Sequence, residues 1–84
     1  MDDSRDQIQT AIHQYLVGRG LETKGFSAGA DLAADLGLDS LDLVELMLNL
    51  EERFGIEIPD NEMEGVTSVT DVVDLVVSKL SVGA

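Results

Sequence analysis

The segment LGLDSLDLVEL, residues 36–46, places a single serine, Ser40, among leucines and acids. Asp39 directly precedes this serine, and aspartate is one of the preferred residues at the N-cap of a helix. Beyond it, apolar residues recur at intervals of three and four, which is the period of an α-helix. We therefore predict a helix over residues 40–53, with Asp39 as its N-cap and Gly55 at its end.

The predicted helix carries two apolar stripes on different faces. The inner stripe consists of Leu43, Leu46, Met47, Leu50 and Phe54. The outer stripe consists of Leu41, Val44 and Leu48, and acids lie between its members. One stripe is enough to attach a helix to a core, so the outer stripe indicates either a docking surface or a helix that a small bundle surrounds on two sides. Periodicity leaves both alternatives open.

A further helix is predicted near each end of the chain. The first opens on a capping box formed by Ser4 and Gln7 and stops at Gly18. Its apolar residues at helical spacing are Ile8, Ala11, Ile12, Tyr15 and Leu16. The last helix opens at Thr67 or Ser68 and keeps a helical period although valine is a poor helix former. Its apolar residues are Val69, Val72, Val73, Val76, Val77 and Leu80.

The connection between the first two helices is long. Residues 18–37 contain five glycines, and we expect Phe26, Leu32 and Leu36 to attach this segment to the core. Residues 60–64 fit one short helical turn. The sequence therefore predicts an all-α fold, a small three- to four-helix bundle with a long first loop, in which residues 1–84 form a single domain.

Charge and composition exclude several classes of function. The net charge is −12, and residues 31–64 hold 11 of the 17 acids with Arg53 as their only base. Nucleic acids and anionic membranes are therefore not expected partners, because both attract basic proteins. The chain has no cysteine, so it forms neither a disulfide nor a thiolate metal site. The start of the chain is acidic and no apolar run is long enough to span a bilayer, so we expect a cytoplasmic location.

Neither a nucleophilic serine nor a calcium-binding loop fits the sequence around Ser40. A nucleophilic serine needs a base, but the only histidine, His13, lies in the first predicted helix, and the G-x-S-x-G pattern is absent. A calcium loop that starts at Asp35 puts Ser40 where glycine is required and Leu46 where a bidentate glutamate is required. We therefore predict neither a catalytic residue nor a metal ligand.

Two interpretations of Ser40 remain: it is a point of covalent attachment, or it simply follows the N-cap, which is the commoner case for a serine at a helix start. A hydroxyl in the first turn of a helix is accessible to other molecules. The unpaired backbone N–H groups there, together with the helix dipole, favour a phosphate group.

The surrounding motifs resemble those of the acyl carrier protein family, in which an Asp-Ser-Leu tripeptide opens an acidic second helix. The resemblance extends from Leu32 to Val76. The tripeptide Asp39-Ser40-Leu41 is a weak signature alone, but other matching positions accompany it. They are Leu36-Gly37, Glu45-Leu46, Glu51-Glu52-Arg53-Phe54 and Ile58-Pro59-Asp60.

The resemblance implies that Ser40, flanked by Asp39 and Leu41, carries 4′-phosphopantetheine added by a phosphopantetheinyl transferase. Acyl groups would then be held as thioesters on the terminal thiol, and the chain itself would not be an enzyme. It also implies a monomer that docks on basic patches of a ketosynthase, an acyltransferase and other synthase enzymes. The implied docking residues are the acids Asp39, Asp42, Glu45, Glu51 and Glu52, with Leu41, Val44 and Leu48 as apolar contacts. The implied acyl pocket consists of Leu46, Met47, Leu50, Phe54, Ile58, Val66 and Val72.

The resulting hypothesis is an acyl carrier protein of fatty-acid or polyketide biosynthesis. A peptidyl or aminoacyl carrier protein is the nearest alternative, although such carriers usually have fewer acids on this helix. An acidic helical adaptor that is never modified is the alternative from another class. Intact mass after exposure to a phosphopantetheinyl transferase distinguishes a carrier from an adaptor.

Overall fold

The computed structural model describes residues 3–21 and 23–82. Within those residues it contains four helices, α1 (Asp3–Gly18), α2 (Ser40–Phe54), α3 (Asp60–Met63) and α4 (Val69–Val82). The one β-type pairing in the described part of the chain is an isolated antiparallel bridge between Asp31 and Ser68. The predicted all-α bundle with a long first loop is therefore confirmed.

The core lies where α1 packs against α2 and α4. α1 buries Ile8, Ala11, Ile12 and Leu16. α2 buries Leu46, Met47 and Leu50, and α4 buries Val69, Val72, Val73 and Val76. These residues recur at intervals of three and four along each helix, so one face of every long helix meets the same apolar centre.

The two ends of α1 differ in how well the sequence predicted them. The helix begins at Asp3, so Ser4 lies within its first turn and the predicted capping role of Ser4 is wrong. The end at Gly18 is confirmed. Beyond it, Gly20 has a positive φ of 72°, and the Leu21 amide donates to the Leu16 carbonyl over 2.9 Å. Glycine adopts this left-handed backbone without steric cost, and it turns the chain out of the helix.

The long first loop is held to the bundle by side chains and by backbone hydrogen bonds. Leu32 and Leu36 are buried as predicted. Phe26 is half-buried but packs against the core, also as predicted, and meets the ring of His13 edge-on at 4.9 Å. The Leu32 amide donates to the Thr67 carbonyl over 2.9 Å. The loop therefore runs beside the segment that leads into α4, and this brings residues 31–33 close to the start of α2.

The carboxylate of Asp71 accepts hydrogen bonds from backbone amides just before α4. Asp71 Oδ2 accepts from the backbone amides of Thr67 at 3.0 Å and Ser68 at 3.2 Å. The hydrogen bond from the Thr67 amide, together with the others, holds the pKa of Asp71 below its usual value. The predicted opening of this helix at Thr67 or Ser68, with Asp71 in its first turn, is confirmed to within two residues.

Candidate functional site

Ser40 is the first residue of α2 and is exposed. Asp39 is the N-cap, as predicted, and its Oδ1 accepts from the Asp42 amide over 2.8 Å. In return, Asp42 Oδ2 accepts from the Asp39 amide over 3.3 Å, which completes a capping box. The Ser40 hydroxyl makes no hydrogen bond to any residue that the structure describes. The helix start is thus fixed by the neighbours of Ser40, and its hydroxyl is left available.

Two open grooves meet at Ser40. The first has a volume of about 350 Å³ and lies between α2 and the two loop segments that run beside each other. Its lining consists of Asp31, Leu32, Ala33, Leu38, Asp39, Ser40, Leu43, Val66 and Thr67. The second has a volume of about 300 Å³ and lies between α2 and α3. Its lining consists of Ser40, Leu43, Val44, Asp60, Met63 and Glu64. A group attached to Ser40 would therefore have a partly apolar surface on either side.

The residues predicted to form an acyl pocket lie mainly in the closed core. Leu46, Met47, Leu50 and Val72 are completely buried, and Ile58 is nearly so. Phe54 and Val66 are partly buried and pack against this core. Val66 is the member of the set that also lines one of the two grooves described above. The acyl pocket therefore stays a prediction, because most of its proposed lining makes core contacts here.

The outer stripe of α2 is exposed to solvent. Leu41, Val44 and Leu48 are 66%, 41% and 55% exposed. Of the two alternatives for this stripe, the bundle that surrounds α2 on two sides is therefore excluded. An apolar strip with acids along its edge remains on the surface beside Ser40, and such a strip suits a docking surface.

Four of the five acids predicted to dock partners also have partners within the chain. Asp39 and Asp42 form the capping box. Glu51 Oε2 accepts from the Ile58 amide over 2.6 Å and so ties the end of α2 to the segment before α3. Glu45 is ion-paired with Arg19. Glu52 is exposed and has no partner among the described residues.

Arg19 is the residue of this surface that the sequence did not reveal. Its Nη1 donates to Glu45 Oε1 and, over 2.9 Å, to the Tyr15 hydroxyl. Its Nη2 lies 4.0 Å from Asp42 Oδ1. The hydrogen bond to Glu45 raises the pKa of Arg19, and burial raises the pKa of Tyr15. Arg19 precedes Glu45 by 26 positions in a loop without periodicity, so no sequence pattern pointed to this contact.

The described residues hold no group of three or more His, Cys, Asp or Glu side chains that is arranged to bind a metal ion. In the same residues, no helix has both the length and the apolar content needed to cross a membrane.

The comparisons with known proteins agree with this geometry. The family profile described as a phosphopantetheine attachment site matches residues 11–76. An acyl carrier protein of Rubrobacter xylanophilus is 45% identical over 74 residues, which cover 87% of this chain and 91% of that protein. The chain belongs to the acyl carrier protein family.

The fold of this chain agrees with its membership in the acyl carrier protein family. The crystal structure of an acyl carrier protein from Thermotoga maritima superposes with a TM-score of 0.83 and 24% sequence identity. That alignment covers 96% of this chain and 95% of the other. The resemblance drawn from the sequence is thus confirmed, and so are the carrier role and the cofactor, 4′-phosphopantetheine.

The start of α2 fits such a cofactor. An acyl carrier protein needs an accessible hydroxyl, and that of Ser40 is exposed and without a hydrogen bond to the described residues. The first backbone N–H groups of the helix lie beside it, and they favour a phosphodiester. When bound, the cofactor supplies the thiol that this cysteine-free chain lacks.

Proposed function

We propose that Ser40 carries the phosphopantetheine and that the loaded chain presents acyl thioesters to enzymes of fatty-acid or polyketide synthesis. The observation that supports this most directly is the free, exposed hydroxyl of Ser40 at the first position of α2. The flanking capping box holds that hydroxyl at a fixed place without engaging it. The chain's own part is therefore to hold the attachment point and to present a surface.

We also propose that the outer stripe and its acids form that surface. The partners would be the phosphopantetheinyl transferase, then a ketosynthase, an acyltransferase and other synthase enzymes with basic docking patches. Exposed apolar side chains contribute buried area on docking, while the acids steer a basic partner and raise its association rate. Because the stripe begins at Leu41, a docked partner would lie next to the attachment point.

The first prediction tests the attachment residue. Incubation of the purified chain with a phosphopantetheinyl transferase and coenzyme A should add the mass of one phosphopantetheine, and Ser40→Ala should abolish the addition. The substitution should leave the helical circular dichroism nearly unchanged, because an exposed first-turn serine buries little surface. Intact mass spectrometry gives the first result and far-ultraviolet spectra give the second.

Peptide mapping provides the control. The other serines of the chain should stay unmodified, and they are Ser4, Ser27, Ser68, Ser78 and Ser81. An adduct on one of them would contradict the assignment to Ser40. A folded wild-type chain that gains no mass would contradict loading by this transferase altogether.

A further inference from the structure

Arg19 joins the end of α1 to the acidic edge of α2. It follows the last residue of α1, and its guanidinium group contacts Glu45 and approaches Asp42. On its other side it donates to the Tyr15 hydroxyl and lies 5.8 Å from the centroid of the Tyr15 ring. A cation of this chain therefore occupies the place where a basic partner would meet these two acids.

Three other basic side chains make their contacts elsewhere. Arg5 pairs with Asp74 and so links α1 to α4, and Lys79 pairs with Glu62 and so links α4 to α3. Arg53 donates to the amide oxygen of Gln14. Among these four side chains, Arg19 is the one whose ion pairs involve acids of the proposed docking surface.

We propose that Arg19 competes with the basic residues of partner proteins for Glu45 and Asp42, and thereby determines which partners dock well. The inference rests on the proposed function, since it takes the outer stripe as the docking surface. A guanidinium group arriving from a partner must displace Arg19 or share its carboxylates. A partner that relies on Leu48 and Glu52, which lie further along α2, does not meet this competition.

The geometry makes Arg19 displaceable. The side chains of Arg19 and Glu45 are 44% and 38% exposed, so water and salt weaken the bond between them. The Tyr15 hydroxyl and ring remain as contacts for the guanidinium group after it leaves Glu45. Arg19 therefore screens the acids without blocking them permanently.

The test compares Arg19→Ala with Arg5→Ala in transferase loading. Each variant removes one positive charge, but only the first removes it from the docking acids. At low salt, Arg19→Ala should raise kcat/KM for the carrier about two- to fivefold over Arg5→Ala, the range expected for one exposed ion pair. The gain should come from a lower KM with kcat unchanged, and it should shrink as salt is added. In a Glu45→Gln background, the same Arg19 substitution should give a smaller gain.

Each alternative result decides against the inference. Equal loading of the two variants would mean that Arg19 does not compete, and slower loading of Arg19→Ala would mean that Arg19 itself helps to bind the transferase. If the loading rate of the wild-type chain does not fall with salt, basic residues of the transferase do not bind these acids, and Arg19 has nothing to compete with. Thermal melts verify folding, and Arg19→Gln, which keeps a donor for Tyr15, repeats the test if the alanine variant is unfolded. A folded wild-type chain that is never loaded would overturn the proposed function, and this inference with it.

Discussion

Two carboxylates beside Ser40 have a structural task before any partner arrives. The side chain of each aspartate, Asp39 and Asp42, accepts a hydrogen bond from the backbone amide of the other, and the two bonds fix the first turn of α2. Replacing an N-cap aspartate by alanine typically costs about 1 kcal/mol of stability. Loading defects in variants of these two residues would therefore combine a displaced Ser40 with a weakened docking surface. Glu52 reports on docking more directly, because it is exposed and has no partner among the described residues, whereas Glu45 is ion-paired with Arg19.

Glu51 has a structural role that the sequence did not reveal. Its carboxylate accepts from the Ile58 amide, and the residue is only partly exposed. Glu51→Ala should lower the free energy of unfolding by about 1–3 kcal/mol, because it leaves a partly buried N–H without its acceptor. Urea unfolding followed by circular dichroism measures the loss.

Glu52→Ala is the matched control for Glu51→Ala. Glu52 is adjacent, exposed and without a partner among the described residues, so its replacement should change stability by no more than about 0.5 kcal/mol. If both variants unfold at the same urea concentration, the bond between Glu51 and Ile58 contributes nothing to stability.

The two faces of α2 separate folding from docking. Leu46 is completely buried, while Leu48 is 55% exposed on the outer stripe. Leu46→Ala should cost about 2–5 kcal/mol as a core truncation, whereas Leu48→Ala should leave stability nearly unchanged. Leu48→Ala should instead raise the KM for transferase loading. Thermal melts and loading kinetics on both variants check the assignment, and a normal KM for folded Leu48→Ala would exclude Leu48 from the docking surface.

The helices were predictable because their apolar spacing is a local property. In α2 and α4 the repeat of three and four decided both the element and its buried face. The capping box at Ser4 failed because a match of two residues does not fix where a helix begins, and serine is also tolerated within a first turn. The five glycines of residues 18–37 predict a loop, but the pairing of this loop with the segment before α4 depends on contacts between residues distant in sequence.

The candidate site was predictable in part for the same physical reason. The exposed serine and the apolar outer stripe follow from position on one helix. The acyl pocket does not, because a stripe that packs a core and a stripe that lines a cavity have the same spacing. The contacts of Arg19 and Glu51 were missed because each joins α2 to a different segment, and only the folded chain brings those segments together.

The dominant feature of the protein's charge is that most of its acids are uncompensated. The chain has 17 acids and only five basic residues, so most carboxylates repel one another within a small bundle. Such self-repulsion favours expansion of the chain and opposes the apolar core. The same excess suits association with basic enzymes, because electrostatic attraction raises the association rate. Stability and docking therefore depend on ionic strength in opposite directions.

Salt should therefore stabilise the fold while it weakens docking. Adding sodium chloride from low to moderate ionic strength should raise the melting temperature, because screening shortens the range of the repulsion. Millimolar magnesium chloride should raise it more per ion added, because a divalent cation attracts carboxylates more strongly. Chloride is the suitable anion, since sulfate strengthens apolar burial by itself.

The matched variant is Glu57→Gln combined with Glu64→Gln, two exposed acids outside the proposed docking set. It should melt higher than the wild type at low salt and respond less to added salt. A melting temperature that stays flat with both salts would mean that the acids do not destabilise the fold.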